Sequence, residues 1–97
     1  MMMVLITYDV STSDEGGRRR LRKVAGLCQD YAQRVQLSVF ECWIDPAQWP
    51  RLRKSLIETI DVNTDSIRFY FLGDNWHNRI EHHGAKRGYN PTGPLIA

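Results

Sequence analysis

Repeated switches of hydrophobic period constrain the fold of this 97-residue chain more than any other feature. Met2 to Val10, "MMVLITYDV", is apolar and β-branched up to Thr7, then ends on one acid, Asp9. A short run of that kind predicts a central strand covered on both faces. Ser11 to Gly17 reads as a loop whose serine, threonine and aspartate side chains can cap a following helix. From Arg18 to Gln33 the period becomes helical, with Leu21, Val24, Ala25, Cys28, Tyr31 and Ala32 three or four residues apart. On that helix Arg19 and Lys23 fall opposite the apolar stripe, while Arg18, Arg20 and Arg22 flank it.

Period two returns in "RVQLSVFECWI", Arg34 to Ile44, with Val35, Leu37 and Val39 on one face. The run is long for one strand, which predicts a bulge or tight turn near Ser38 to Glu41. "DPAQ", Asp45 to Gln48, reads as an N-cap, an N1 proline and a capping-box glutamine. They open a second helix striped by Trp49, Leu52, Leu56 and Ile60 and ending near Asp61, with Pro50 disturbing its first turn. "VNTD" is a turn, and "SIRFYFL", Ser66 to Leu72, alternates as a further strand. Beyond Gly73 the pattern weakens, leaving a short extra strand around Trp76 to Glu81 and a polar tail.

The order β-α-β(β)-α-β belongs to the α+β class. It predicts a ferredoxin-like βαββαβ sandwich over residues 1–82, with an additional C-terminal strand or tail over 83–97. Both helices would cover one sheet face. The other face would stay apolar and open unless a second copy covered it, which predicts a homodimer formed through the sheets. With 42% hydrophobic and 25% charged residues, the composition is that of one small globular domain. Cys28 and Cys42 lie far apart without a CxxC pattern and read as buried free thiols of a reducing cytoplasm. The first residues lack a basic n-region, and no apolar run is long enough to span a bilayer, so a cytoplasmic protein without a membrane partner is expected.

Net charge is only +2, but the cations are clustered: Arg18, Arg19, Arg20, Arg22 and Lys23 form one block, and Arg51, Arg53 and Lys54 another. Two cationic helix starts beside a strand-end acid point towards phosphate contact. Asp9 is the candidate catalytic and metal-binding residue. A hydrated Mg²⁺ needs only one or two protein carboxylates, so one Asp9 from each of two copies could share an ion. Arg18, Arg20, Arg22 and Arg34 would then clamp phosphate oxygens. Tyr8 points to the opposite face from Asp9 and reads as a core aromatic with a wet tip; Phe40 reads as core or interface. His77, His82 and His83 are a poor match to a zinc set. There is no phosphate-binding glycine loop and no nucleophile elbow.

"YDV" closing the first strand, "RVQLSVFE" in the middle and "DSIRFY" in the last strand together resemble the CRISPR-associated protein 2 family, over roughly residues 3 to 72. One departure is Ala32, where the family usually has glycine. The resemblance implies a homodimer acting in spacer acquisition, in which the final strand or tail often crosses to the partner's sheet. It implies Mg²⁺-dependent endonuclease activity on single-stranded RNA or double-stranded DNA, with Asp9 as metal ligand. Tyr8, Arg34 and Phe40 match family positions, and Arg20 and Arg22 are the nearest matches on the first helix. It also implies a non-catalytic role, in which the dimer bridges two copies of the CRISPR integrase and holds DNA on its basic surface. The residues do not separate nuclease from scaffold, since both need the same dimer and the same cations. Two other readings stay open: a stand-alone ribonuclease toxin of similar fold, and a ferredoxin-like interaction domain that binds no nucleic acid.

Overall fold

The computed structural model describes residues 1–72 and 80–85. Among the described residues seven elements follow one another: β1 (Met2–Asp9), α1 (Glu15–Cys28), β2 (Ala32–Gln36), β3 (Val39–Ile44), α2 (Trp49–Thr59), β4 (Ser66–Leu72) and β5 (Ile80–Gly84). The strands form one antiparallel sheet in the order β2-β3-β1-β4-β5. Its first four strands and two helices make the expected ferredoxin-like βαββαβ sandwich, and β5 is the additional strand, here paired with β4 of its own chain.

Strand alternation decides where the core sits. Val4, Ile6 and Tyr8 of β1, Phe40, Cys42 and Ile44 of β3, and Ile67 and Phe69 of β4 are buried on one face. Leu21, Val24 and Cys28 of α1 and Trp49, Leu52 and Leu56 of α2 close over them as one cluster. Each such apolar side chain contributes about 1.5–3 kcal/mol relative to exposure. Trp49 meets Phe69 and Phe71 edge-on, at 5.1 and 5.6 Å between centroids.

The opposite face carries Met3, Leu5, Thr7 and Asp9 from β1, with Val39, Glu41 and Trp43 beside them on β3 and Arg68, Tyr70 and Leu72 on β4. Neither helix among the described residues covers it. Trp43 and Leu72 are about half exposed, at 55% and 48%.

Other boundaries also move. α1 starts at Glu15 because the Asp14 side chain caps it, accepting from the Gly17 N–H at 2.6 Å. A Cβ at Gly17 would lie 1.7 Å from the Ser11 carbonyl oxygen, so glycine permits the loop to close on the helix. The helix ends at Cys28 rather than Gln33, because Ala32 pairs with Cys42 in the sheet and the Tyr31 carbonyl accepts from Trp43 N–H at 2.8 Å. The long middle strand is two strands joined by a turn at Leu37 and Ser38, with an irregularity between Arg34 and Gln36. Val35 and Leu37 are exposed, while Val39 is half-buried on the helix-free face. Asp45 caps a turn through Ala47 N–H instead of starting α2, which begins at Trp49 with Pro50 in its first turn, where a missing N–H costs nothing.

β5 lies further along the chain than expected and runs through position 82 to Gly84. Residues 76–79 of the expected strand, and the tail from 86 on, fall outside the described residues. Gly84 adopts φ 106°, and a Cβ there would sit 2.1 Å from the Asp65 carbonyl oxygen. The same oxygen accepts from Ala85 N–H at 2.6 Å. On the helix side, Arg53 of α2 donates through Nε to Glu81 at 2.8 Å, and His83 contacts Glu81 at 2.5 Å.

Candidate nucleic-acid interface around Asp9 and the first helix

Two consecutive residues at the end of β1 face opposite ways. The Tyr8 N–H donates to the Ser38 carbonyl at 2.9 Å, which fixes the strand end against the β2–β3 turn. Tyr8 then points into the core, and its hydroxyl donates to Asp65 Oδ2 at 2.5 Å. Its tip is therefore held by a carboxylate rather than wetted. Asp65 is fully buried and receives a fork from Arg20, Nε to Oδ2 at 2.7 Å and Nη2 to Oδ1 at 3.0 Å. The Asp61 N–H adds a bond to Oδ2 at 3.0 Å and the Thr64 hydroxyl one to Oδ1 at 3.2 Å.

The electrostatics follow from those bonds. Burial pushes the Asp65 carboxyl up, but the hydrogen bonds from Arg20, Tyr8 and Asp61 outweigh it and hold it below the usual carboxylate range. Burial, reinforced by the bond to Asp65, drives the Tyr8 phenol well above its ordinary value. Bonding to Asp65 raises Arg20 as well, so the pair stays charged. Glu81 repeats the theme: burial raises it, and Arg53 and His83 together bring it lower.

Asp9 is exposed on the helix-free face, opposite Ser66 in the register. Thr7, two residues back on the same face, meets Val39 on one side and Arg68 on the other. These groups line a concavity of about 370 Å³ with Ser38 and Tyr70. Arg68 is oriented by its Nε–H bond to His82 Nδ1 at 3.0 Å, which requires a neutral His82 to carry its proton on Nε2.

The arginines expected around Asp9 divide differently. Arg20 is spent on Asp65, and Arg34 pairs with Phe40 on the helix side, its guanidinium 5.5 Å above that ring. Its Nε donates to the Leu37 carbonyl at 2.7 Å. Arg22 lines the same helix-side groove as Arg34. So Arg20, Arg22 and Arg34 lie across the sheet from Asp9 within one chain, and among the described residues Arg68 is a cation that shares its face. Arg18, Arg19, Arg22 and Lys23 are exposed; Arg18 donates to the Thr12 carbonyl at 2.9 Å, and Arg19 approaches Glu15 only at 4.0 Å. In the second block Arg51 and Lys54 are exposed while Arg53 is held by Glu81. Phe40 is buried in the core, beneath Arg34.

Sequence reasoning passed over Asp65 as a turn residue and Arg68 as a strand residue. Among the described residues no group of three or more His, Cys, Asp or Glu side chains could enclose a metal ion. Asp9 with the Ser66 hydroxyl opposite it is an open oxygen set. It would suit a largely hydrated Mg²⁺ if a second copy completed it, and does not make an all-protein cage. No helix among the described residues is long and apolar enough to cross a membrane.

An open-faced ferredoxin-like sandwich, with one carboxylate at its central strand end and exposed cations along its first helix, places the chain among small α+β proteins of this architecture. The family model for CRISPR associated protein Cas2 matches residues 2–80, and the chain belongs to the Cas2 family. The CRISPR-associated endoribonuclease Cas2 of Nitratidesulfovibrio vulgaris is 60% identical over 95 residues, covering 98% of this chain and 93% of that protein. The crystal structure of Streptococcus pyogenes Cas2 at pH 6.5 superposes with a TM-score of 0.72 at 59% identity, covering 82% of this chain and 96% of that one. A chain of a partial Cas6-RT-Cas1–Cas2 complex covers all of this chain, 100%, and 96% of its own length, with a TM-score of 0.56 at 27% identity.

Proposed function

We propose that this chain is the Cas2 subunit of CRISPR spacer acquisition: a homodimer that holds nucleic acid on its arginines and bridges integrase subunits in the cytoplasm. The observation that carries the reading is the uncovered sheet face. There the polar concavity of Asp9, Ser66 and Arg68 adjoins an apolar row of Met3, Trp43 and Leu72. A second sheet packed on this face would bury the apolar row and bring two Asp9 side chains towards one axis. The occurrence of a similar chain in a Cas1–Cas2 complex supports the integrase partnership.

Metal-dependent phosphodiester hydrolysis is the catalytic part of the proposal. Asp9 from each protomer would hold the Mg²⁺, and the ion supplies Lewis-acid polarisation of a phosphate oxygen and a more acidic bound water. The chain's own residues do the rest. Arg68 and the Ser66 and Thr7 hydroxyls offer donors for phosphate oxygens beside Asp9. Tyr8, locked to Asp65, holds the strand end from which Asp9 projects. Exposed Arg18, Arg19, Arg22 and Lys23 bind phosphates on the helix layer and serve the scaffold role whether or not cleavage occurs.

Sedimentation of wild type and Trp43→Asp tests the dimer: wild type should sediment as a dimer and the variant as a folded monomer. Mg²⁺-dependent cleavage of RNA and duplex DNA by wild type and Asp9→Asn tests the chemistry. Cleavage that survives in the variant removes Asp9 from the mechanism.

A further inference from the structure

A groove on the helix side of β2 has no part in the Asp9 site. It encloses about 510 Å³ between the end of α1 and the β2 edge, lined by Arg22, Ala25, Gly26, Gln29, Ala32 and Arg34. Its walls are cationic and its floor is apolar, with the buried Cys28 and Phe40 beneath. Arg34 is held twice, by its Nε bond to the Leu37 carbonyl and by its seat above Phe40, so its guanidinium plane is fixed before any ligand arrives. Across the groove, Arg22 is exposed and makes no hydrogen bond or ion pair among the described residues.

Gly26 supplies the second observation. It sits in the last turn of α1, where glycine is the least favourable ordinary residue after proline. No left-handed backbone requires it, and a Cβ there would meet nothing within 4 Å. Among the described residues neither packing nor conformation explains this glycine. What its missing side chain does is leave the groove open beside Ala25 and Gln29.

We propose that this groove seats one unpaired nucleotide at the end of a nucleic-acid strand. The base lies flat against the fixed Arg34 guanidinium over the apolar floor, and Arg22 meets the adjoining phosphate. Planar cations stack on bases irrespective of sequence, and a guanidinium pairs with phosphate oxygens through its fork of donors. A paired base is excluded because its Watson–Crick partner makes it twice as broad as a single base and, inside the duplex, both of its faces are stacked. The groove therefore distinguishes a frayed or single-stranded end from a blunt one. This assignment rests on the nucleic-acid reading above and adds a preference that exposed helix cations alone cannot provide.

The test compares a blunt duplex with the same duplex carrying a short unpaired thymidine tail, by fluorescence anisotropy on the full chain. Wild type should bind the tailed duplex about fivefold or more tightly per stacked base. Gly26→Leu fills the groove while keeping both arginines in the chain. It should abolish the tail preference, keep blunt-duplex affinity and leave the melting temperature no lower than wild type. Equal affinity of wild type for both duplexes, or a preference that survives Gly26→Leu, overturns the groove assignment alone. Failure to bind either duplex defeats the nucleic-acid reading itself. Backbone amide shifts on titration of wild type with oligothymidylate give a check independent of the variant's folding. They should centre on Gly26, Gln29 and Arg34, and shifts confined to the Asp9 face overturn the proposal.

Discussion

Arg20 grips both carboxylate oxygens of Asp65, at 2.7 and 3.0 Å, and so ties the first helix to the loop that enters β4. The Tyr8 hydroxyl meets the same carboxylate from β1, making one buried charge the junction of three chain segments. Removing that charge while keeping its shape, as Asp65→Asn, should cost on the order of 3 kcal/mol in urea unfolding, since Arg20 and Tyr8 lose their common partner. The pH dependence has a definite sign. The folded carboxyl titrates below its unfolded value of about 3.9, so its stabilisation is complete well above that value and fades as pH falls through it. Asp65→Asn should therefore flatten the acid limb of the stability curve. Unchanged urea midpoints at neutral and acid pH would remove Asp65 from that role.

Arg19 and Lys23 are exposed and should matter to binding far more than to folding. The double charge reversal Arg19→Glu, Lys23→Glu should leave the melting temperature within a few degrees. It should also lower the slope of log affinity against log salt by about two, roughly 0.9 for each phosphate no longer neutralised. An unchanged slope would mean that duplex DNA is held elsewhere.

Gly84→Ala should loosen β5. The left-handed φ and the Asp65 carbonyl 2.1 Å from the added carbon make the substitution strained in two ways. The expected loss is about 1–3 kcal/mol. Amide exchange should quicken most from Ile80 to Ala85, while the amides of β1 and β3 change less. Uniform acceleration across the sheet would contradict a local effect.

Cys28 and Cys42 should resist alkylation in the native state. Burial pushes the Cys28 thiol up to about 12, with Cys42 adding to the effect, and burial pushes Cys42 up to about 11. Only a trace of nucleophilic thiolate exists at neutral pH, beneath a closed surface. Mass spectrometry after iodoacetamide should find both unmodified until urea opens the core. Rapid modification of either thiol in buffer would show that the core opens without global unfolding.

The period of the hydrophobic pattern carried the fold, because burial on one face of a strand or helix is written directly into residue spacing. β1, β3, β4 and both helices were legible for that reason, and so was the open sheet face. Boundaries were less so. Tyr31 and Ala32 continue the spacing of α1, yet the backbone of this segment pairs with β3, a long-range pairing that local spacing does not encode. Asp9 was legible as a strand-end acid. Asp65 was not, because an aspartate in "VNTD" looks like an ordinary turn former, and only the tertiary approach of Arg20 and Tyr8 makes it a buried anchor. The arginines of α1 looked like one block. Their division into exposed cations and a core partner depends on a helical phase set by the Asp14 cap, three residues ahead of Gly17.

β1 is paired on both sides, with β3 and with β4, and its residues alternate without interruption from Val4 to Asp9. Tyr8 and Asp9 therefore occupy their faces by counting. Inserting or deleting one residue between Val4 and Tyr8 would drive a carboxylate into the apolar layer and turn the phenol out to solvent. The greasy residues of the strand thus act as a ruler for the acid at its tip, and the placement of Asp9 inherits the accuracy of that ruler.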